Sequence, residues 1–509
     1  MLLKSRSKKS AFFLTYLLII LQALSTMLLT RIYLDQLGAD SYGLYQMVYA
    51  VAQYILILDL GISTVMVRYI SEFDARGDKV KTENFAFHFA LIVMIVSVLI
   101  TVIGLILNAN LENIYRNLTE EEYRLSHKVF LVMIIQLILT VMSHYFRGIC
   151  EAYERFNYTR IASVTQIIVK VILTYVFLKS GMGIMGIVAA NTAVICADVI
   201  AAFLYDKLVL KFRIRYHYRD FSSLKPAFLL MLAMLLQAVV GHVNGSVDKT
   251  ILGIMTTKVD VAVYAIAATI VTMFNTLPST VSSVFQPETT RMVVKGADEM
   301  TLTMHVARLG RIQFMIVGGF IAGFLLLGRD FIHCWAGESM LDAWQYVIVI
   351  IIPNAVPLVQ NICLSILNAR DKRLFRSLIL VGMTVVNIVL TVLLIPVLGA
   401  FGAPLATGIS YIIGHCIIMN IYYSRKIGLR VGLMFRVILH RIWLCVTAAP
   451  VICLPLIAWH GGGSWPVLIV KAIVFCAVYG ILLYFFGANA DEKKLAGSLV
   501  NKLLRRRRV

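Results

Sequence analysis

The first 225 residues contain no proline; all ten prolines of this 509-residue chain lie at or after Pro226. Charge is scarce as well, at 15% of residues, and acidic charge scarcer, with 27 Asp and Glu against 47 Lys and Arg. The eight cysteines sit mostly in apolar runs, with no Cys-x-x-Cys pair and no His/Cys cluster, so neither a disulfide framework nor a metal site is expected. The Gly-x-x-x-x-Gly-Lys-Ser/Thr pattern of nucleotide hydrolysis is missing, so no cofactor is expected beyond a coupling ion. Long polar stretches are missing too. The largest segment on the outer side, around 109–127, has about twenty residues, too few for a catalytic domain, and is locally acidic (Glu112, Glu120, Glu121, Glu122). Its Asn117-Leu118-Thr119 reads as a chance glycosylation match.

What the chain does have is apolar length. Hydrophobic residues make up 60% and mean hydropathy is +0.84, far from the soluble norm of about half apolar and a quarter charged. Runs of about twenty apolar residues, enough to cross ~30 Å of hydrocarbon, recur throughout. Fourteen spans are expected, at 11–34, 42–66, 86–108, 128–148, 160–180, 183–206, 226–254, 262–285, 310–328, 343–366, 374–397, 401–423, 440–460 and 465–486. With both termini in the cytoplasm, alternate loops on the inner side hold most of the Lys and Arg. The net charge of +20 is therefore explained by topology, not by nucleic-acid binding. The N-terminal MLLKSRSKKS and the apolar run behind it lack a small-residue cleavage site and read as an uncleaved first helix.

The pattern repeats. Asp35-Gln-Leu37-Gly38, leading to Tyr42-Gly43-Leu44-Tyr45, is matched by Asp248-Lys-Thr-Ile-Leu252-Gly253, leading to Val263-Tyr264. Gly183-x-x-Gly186-x-x-x-Ala190 is matched by Gly399-x-x-Gly402-x-x-x-Ala406. A weaker pair joins Ala152–Phe156 to Ala369–Phe375. An even number of spans separates the copies, which makes them parallel repeats. The expected organisation is all-α: an N-terminal six-helix lobe (1–210), a C-terminal six-helix lobe (220–425), an additional helix pair (440–486) and a basic cytoplasmic tail (487–509). Proline kinks helices, so bent helices are expected in the second lobe and straighter ones in the first.

Leu37-Gly-Ala-Asp-Ser-Tyr-Gly-Leu-Tyr45 and Asp59-Leu-Gly-Ile-Ser-Thr-Val-Met-Val-Arg68-Tyr-Ile-Ser71, with Leu277-Pro278 and Gln286-Pro287 in the second half, resemble the polysaccharide-transport branch of the multidrug/oligosaccharidyl-lipid/polysaccharide exporter superfamily. The resemblance implies two six-helix lobes around a central cavity. It also implies a bacterial inner-membrane flippase that moves undecaprenyl-diphosphate-linked oligosaccharide to the outer leaflet, acting as a monomer beside glycan polymerase or assembly proteins. Twelve spans are common in that branch. Fourteen are more similar to relatives that move peptidoglycan precursor lipids. A multidrug cation antiporter of the same superfamily is the alternative, and an integral-membrane glycan polymerase or ligase a more distant one.

Burying a diphosphate and sugars in lipid is prohibitive, so a polar path with cations and amides is required. Lys170, near the middle of span five, is the leading diphosphate contact; the competing reading pairs it with Asp198 of span six. Arg31, Arg68, Arg291 and Lys249 are further diphosphate candidates, each balanced by an interfacial or local-pairing role. Lys471 is read as snorkelling outward. Asp59, Asp248 and Asp198 are candidates for coupling to H⁺ or Na⁺; Asp59 alternatively pairs with Arg68. Gln22, Gln46, Gln53, Gln166, Asn191, Gln237, Asn244, Asn275 and Asn361 either face sugars or join helices. The last two spans read as a lateral groove for the lipid tail.

Overall fold

A computed structural model describes residues 2–219, 221–370, 372–458, 464–490 and 492–494; residues 495–509 of the basic tail, and the side chains of Gln237 and Asn244, lie outside the described set. Among the described residues the regular structure is helical, with no strand. Eleven stretches are long and apolar enough to cross a membrane. Two of them, Leu17–Ala75 and Phe375–Ile427, run 59 and 53 residues. At 1.5 Å per residue each is roughly 80–90 Å long, more than twice the hydrocarbon thickness. Each is interrupted by a glycine in a conformation no helix tolerates, Gly38 (φ 76°, ψ 172°) and Gly399 (φ 61°, ψ −150°).

The chain forms two compact units that divide at Ala265/Ile266. The first contains α1 (Leu2–Ile55), α2 (Ile62–Ala75), α3 (Lys79–Ala109), the single turn α4 (Leu111–Ile114), α5 (Glu120–Ala152), α6 (Phe156–Lys179), α7 (Gly183–Leu208) and α8 (Phe221–Met255). Within it α5 packs on α2, α3 and α7, and α1 on α6 and α8. Helix α3 shows how the bilayer shapes the sequence. Phe85, Phe89, Val93, Val96 and Ile100 are buried, while Leu91, Met94, Ile95, Val98, Val102 and Ile106 are exposed. Water would not tolerate that second apolar stripe, whereas lipid welcomes it.

Polar caps mark where helices leave the apolar layer. Thr119 caps α5 in a reciprocal box with Glu122, which gives Thr119 a structural role within the Asn117-Leu118-Thr119 match. Asp78 caps α3. Asp298 caps the helix that follows it; the Thr301 hydroxyl, then backbone N–H groups, hold its carboxyl below the usual range.

Proline absence does not keep the first 225 residues straight. Beyond α1 the chain tightens into a 3₁₀ turn at Leu56–Asp59, and Leu60 (φ 52°) and Gly61 (φ 65°) enter the left-handed region before α2 resumes. Gly61 supplies the conformation cheaply, so the break falls inside the Asp59-Leu-Gly segment.

The second unit begins within α9 (Lys258–Val294) and continues through α10 (Glu299–Ala336), α11 (Ala343–Val359), α12 (Cys363–Ala369), α13 (Arg373–Leu398), α14 (Gly402–Tyr411), α15 (Met419–Tyr422), α16 (Val431–Leu439), α17 (Ile442–Ile452), α18 (Pro455–Ala458) and α19 (Trp465–Leu482). α11 ends two residues after Pro357. Wide π-type turns at Ile412–Ile418, Tyr423–Ile427 and Leu483–Gly487 contain no proline.

The additional pair, α17 and α19, is clamped to α10. Gly319 and Gly323 lie under Tyr479 and Phe475, where a Cβ on Gly319 would sit 2.5 Å from the Tyr479 ring; this is small-residue packing of the kind that holds helices together in lipid. Lys471 does not snorkel outward. It is 1% exposed and pairs with Asp330 of α10 at 2.8 Å, because a carboxylate on the facing helix costs less than the distance to water. Arg311 of α10 is likewise buried, donating to Glu492 and to the carbonyls of Val437, His440 and Gly487.

The repeat is visible in each unit. Tyr158 stacks on Tyr205 at 3.8 Å between ring centres, and Phe375 on Tyr422 at 3.9 Å. Both residues of the second stack lie 217 positions after those of the first. Gly183 and Gly399, matched in the sequence, share φ values of 57° and 61°.

Candidate functional site: one cavity in each unit

Unit one contains a cavity of about 240 Å³ between α1, α5, α6 and α7, lined by Gln22, Tyr45, Gln136, Gln166, Lys170 and Asn191 among others. Lys170, half-buried near the middle of α6, is the one charged residue among those lining it. It makes no hydrogen bond or ion pair with any described residue. The alternative partner is already taken. Asp198 accepts from Arg147 Nε at 2.9 Å and Nη2 at 2.6 Å, and from the Ser143 hydroxyl, while Arg147 Nη1 donates to Ser163 at 2.9 Å. That forked pair ties α5, α6 and α7 together and fully occupies the carboxylate. Lys170 is thus left facing the cavity.

Unit two contains a cavity of about 420 Å³, lined by Asn275, Asn354, Gln360, Asn361, Arg376 and His415 together with Tyr411 and Tyr423. Asn354 donates to Asn275 at 2.6 Å, and Gln360 to Asn420 at 2.6 Å. Arg376 makes no hydrogen bond or ion pair with any described residue. Neither cavity has an Asp or Glu among its lining residues.

The two cavities occupy different positions of the repeat. Ser143, Arg147, Ser163 and Asp198 correspond, at the same offset of 217, to Gln360, Leu364, Leu380 and His415, and those four all line the second cavity. Where the first unit fills this place with an ion pair, the second leaves it open.

The other expected residues lie elsewhere. Arg31 pairs with Asp35 one turn on, at 2.8 Å. Arg68 is exposed beside the Tyr69 ring, and Asp59 pairs with His144 at 2.8 Å, not with Arg68. Lys249 donates to Gln46 at 3.0 Å, Asp248 accepts from the Tyr264 hydroxyl, and Arg291 is exposed. Of the amides, Gln22, Gln166, Asn191, Asn275 and Asn361 line cavities. Sequence reasoning overlooked Gln136, Asn354, Arg147 and Arg376. Gln136 and Asn354 lie within expected spans and were open to notice. Arg147 and Arg376 lie at the ends of the expected spans 128–148 and 374–397, where a hydropathy profile does not separate a buried charge from a loop charge.

The two repeated loop motifs meet within unit one. Lys258, at the start of α9, pairs with Asp40 at 2.8 Å and with Glu122, its carbonyl pressing on Gly43; Tyr54 donates to Thr250 at 3.0 Å.

This fold has known relatives. A solved structure of the lipid II flippase MurJ, in an inward closed conformation, superposes with a TM-score of 0.70 at 14% identity, covering 93% of this chain and 97% of that one. An inward-facing multidrug resistance MATE family transporter of the MOP superfamily superposes at 0.67 and 16% identity, covering 82% and 96%. In sequence the chain is 22% identical to the uncharacterized membrane protein EpsK of Bacillus subtilis (strain 168), over 92% of this chain and 93% of that protein. The fold is similar to those of MurJ and the MATE family transporter, and the protein is a multi-pass membrane protein. The model of the family described as polysaccharide biosynthesis protein matches residues 8–292, more than half of the chain, and the protein belongs to that family.

Proposed function

We propose that the protein is a flippase for polyprenyl-diphosphate-linked oligosaccharide, working by alternating access without nucleotide hydrolysis. In this reading it lies in a bacterial inner membrane with fourteen crossings and both termini in the cytoplasm. The observation that carries the reading is the pair of polar cavities, each with an unpartnered cation, Lys170 or Arg376, and neither lined by a carboxylate. A cation held in a low-dielectric wall attracts phosphate or another anion strongly, and the surrounding amides and phenols suit sugar hydroxyls. Lys170 takes the diphosphate. Asp59 and its titratable partner His144 are the candidates for proton coupling.

A multidrug antiporter remains the second reading, on the strength of the MATE-like fold. Cationic drugs call for acidic walls, and these cavities offer the opposite charge.

Purified protein in liposomes, supplied with a fluorescent polyprenyl-diphosphate oligosaccharide, tests the proposal. The glycan should reach an impermeant lectin faster than in protein-free vesicles. Transport no faster than the protein-free rate would remove the function.

A further inference from the structure

Residues 211–219 alternate with a period of two: Lys211, Arg213, Arg215, His217 and Arg219 against Phe212, Ile214, Tyr216 and Tyr218. The structure runs this stretch as non-helical chain, with Lys211 in the left-handed region (φ 52°). Asn84, Glu83 and Phe87 help to hold it in place. The backbone N–H groups of His217 and Tyr218 donate to Asn84 Oδ1 at 3.0 and 3.1 Å, His217 pairs with Glu83 at 3.0 Å, and Tyr216 packs edge-on to Phe87 at 5.6 Å. The segment is a fixed strap, not a loose linker.

Between this strap and the end of α7 lies a third cavity, of about 540 Å³, lined by Phe146, Phe203, Lys207, Lys211, Arg213 and Arg215, with Asp206 and two strap residues completing it. Its charges are graded along the helix axis. Phe203 and Leu204 are exposed apolar side chains of the membrane layer, and the basic groups begin at Lys207 and continue into the strap. Asp206 is 4% exposed. Its Oδ1 accepts from the Cys150 thiol at 3.0 Å, and its Oδ2, closed off from the open space of the cavity, has no hydrogen-bond partner among the described residues. Four cations, Lys207, Lys211, Arg213 and Arg215, next to the apolar rings of Phe146 and Phe203 suit a ligand that joins an anion to an apolar tail.

We propose that this cavity binds an anionic membrane phospholipid of the phosphatidylglycerol type. The phosphate sits on Arg213, Arg215 and Lys211, and the acyl chains run along Phe146 and Phe203. Phosphatidylcholine carries no net charge to neutralise the four basic groups, and free phosphate supplies no chains for the phenylalanines. The site is separate from the Lys170 and Arg376 cavities, and its failure leaves the transport reading untouched.

The experiment uses the full chain in detergent, exchanged against phosphatidylglycerol, phosphatidylethanolamine or phosphatidylcholine, with bound lipid counted by native mass spectrometry. One phosphatidylglycerol should be retained in preference to phosphatidylcholine. Arg213→Gln with Arg215→Gln should lower retention roughly 30-fold, the loss expected for two interfacial cations. Lys295→Gln, an exposed basic residue elsewhere, should leave it unchanged, and gel filtration confirms that each variant is folded. Equal retention of the two lipids, or full retention by the double variant, overturns the proposal. So does displacement by millimolar inorganic phosphate, which would make the cavity a free-anion site, and so does displacement at equal concentration by a polyprenyl diphosphate, which would make it a substrate dock.

Discussion

The two units solve the same structural position in opposite ways. In the first, Arg147 and Asp198 cross-link three helices through a forked ion pair supported by Ser143 and Ser163. In the second, the corresponding residues Leu364 and His415 form no such link and line a cavity of about 420 Å³. The aromatic stack nearby, Tyr158 on Tyr205 and Phe375 on Tyr422, is kept in both. Duplication preserved the frame and allowed the filling to diverge. An ion pair can be exchanged for space wherever apolar packing on either side already holds the helices together.

The largest effect expected from breaking this comparison is on stability. Asp198→Asn strands the Arg147 guanidinium and should cost about 3–5 kcal/mol, with Arg147→Leu added to Asp198→Asn restoring much of it. His415→Asn, at the matching place, should cost far less. Thermal unfolding in detergent measures all three, and equal losses for Asp198→Asn and His415→Asn would erase the distinction. Next comes transport. Lys170→Ala should slow flipping about 10- to 100-fold, the loss of one charged hydrogen bond, with Lys170→Arg milder. A normal rate for Lys170→Ala would remove Lys170 from the site and leave the flippase standing. Rebuilding the first unit's arrangement in the second, with Leu364→Arg and His415→Asp together, should fill the larger cavity and slow flipping roughly 10-fold, about 1.4 kcal/mol, while the protein stays folded. Undiminished transport would show that this cavity is not used. Gly319→Val, forced against the Tyr479 ring, should cost about 1–3 kcal/mol, seen as a lowered Tm. The smallest effect is Thr119→Ala, about 1 kcal/mol from loss of the α5 cap, detected as faster amide exchange in the first turn of α5.

Much of the frame was legible before any coordinates. Hydropathy located the apolar stretches because lipid-facing and buried faces are both apolar, and the Gly183/Gly399 pair marked the repeat because its backbone angles admit few other residues. Lys170 was legible as a cation too deep to escape. Its freedom was not, since only the structure shows Asp198 committed to Arg147. Arg147, Arg311 and Arg376 were hidden for one reason. Each lies at the edge of an expected span, where a hydropathy window reads a buried charge as a loop charge. The break at Leu60–Gly61 was equally hidden, because one glycine and a leucine carry little statistical weight against the expectation that proline makes the kinks. Which face of α19 meets α10 required the Lys471–Asp330 pair and the ring contacts of Phe475 and Tyr479.

Helix α8 opens the second sequence repeat, yet it packs with α1, α2 and α3 in the first compact unit. During synthesis the first 220 residues emerge without it. Until α8 arrives, Gly61 waits for Met234, and Tyr115 and Met47 wait for Gly253. The first half therefore completes its packing only after the ribosome has begun the second. A chain severed between the two sequence repeats would leave its first fragment with an open apolar seam, a substrate for membrane quality control rather than a smaller working protein.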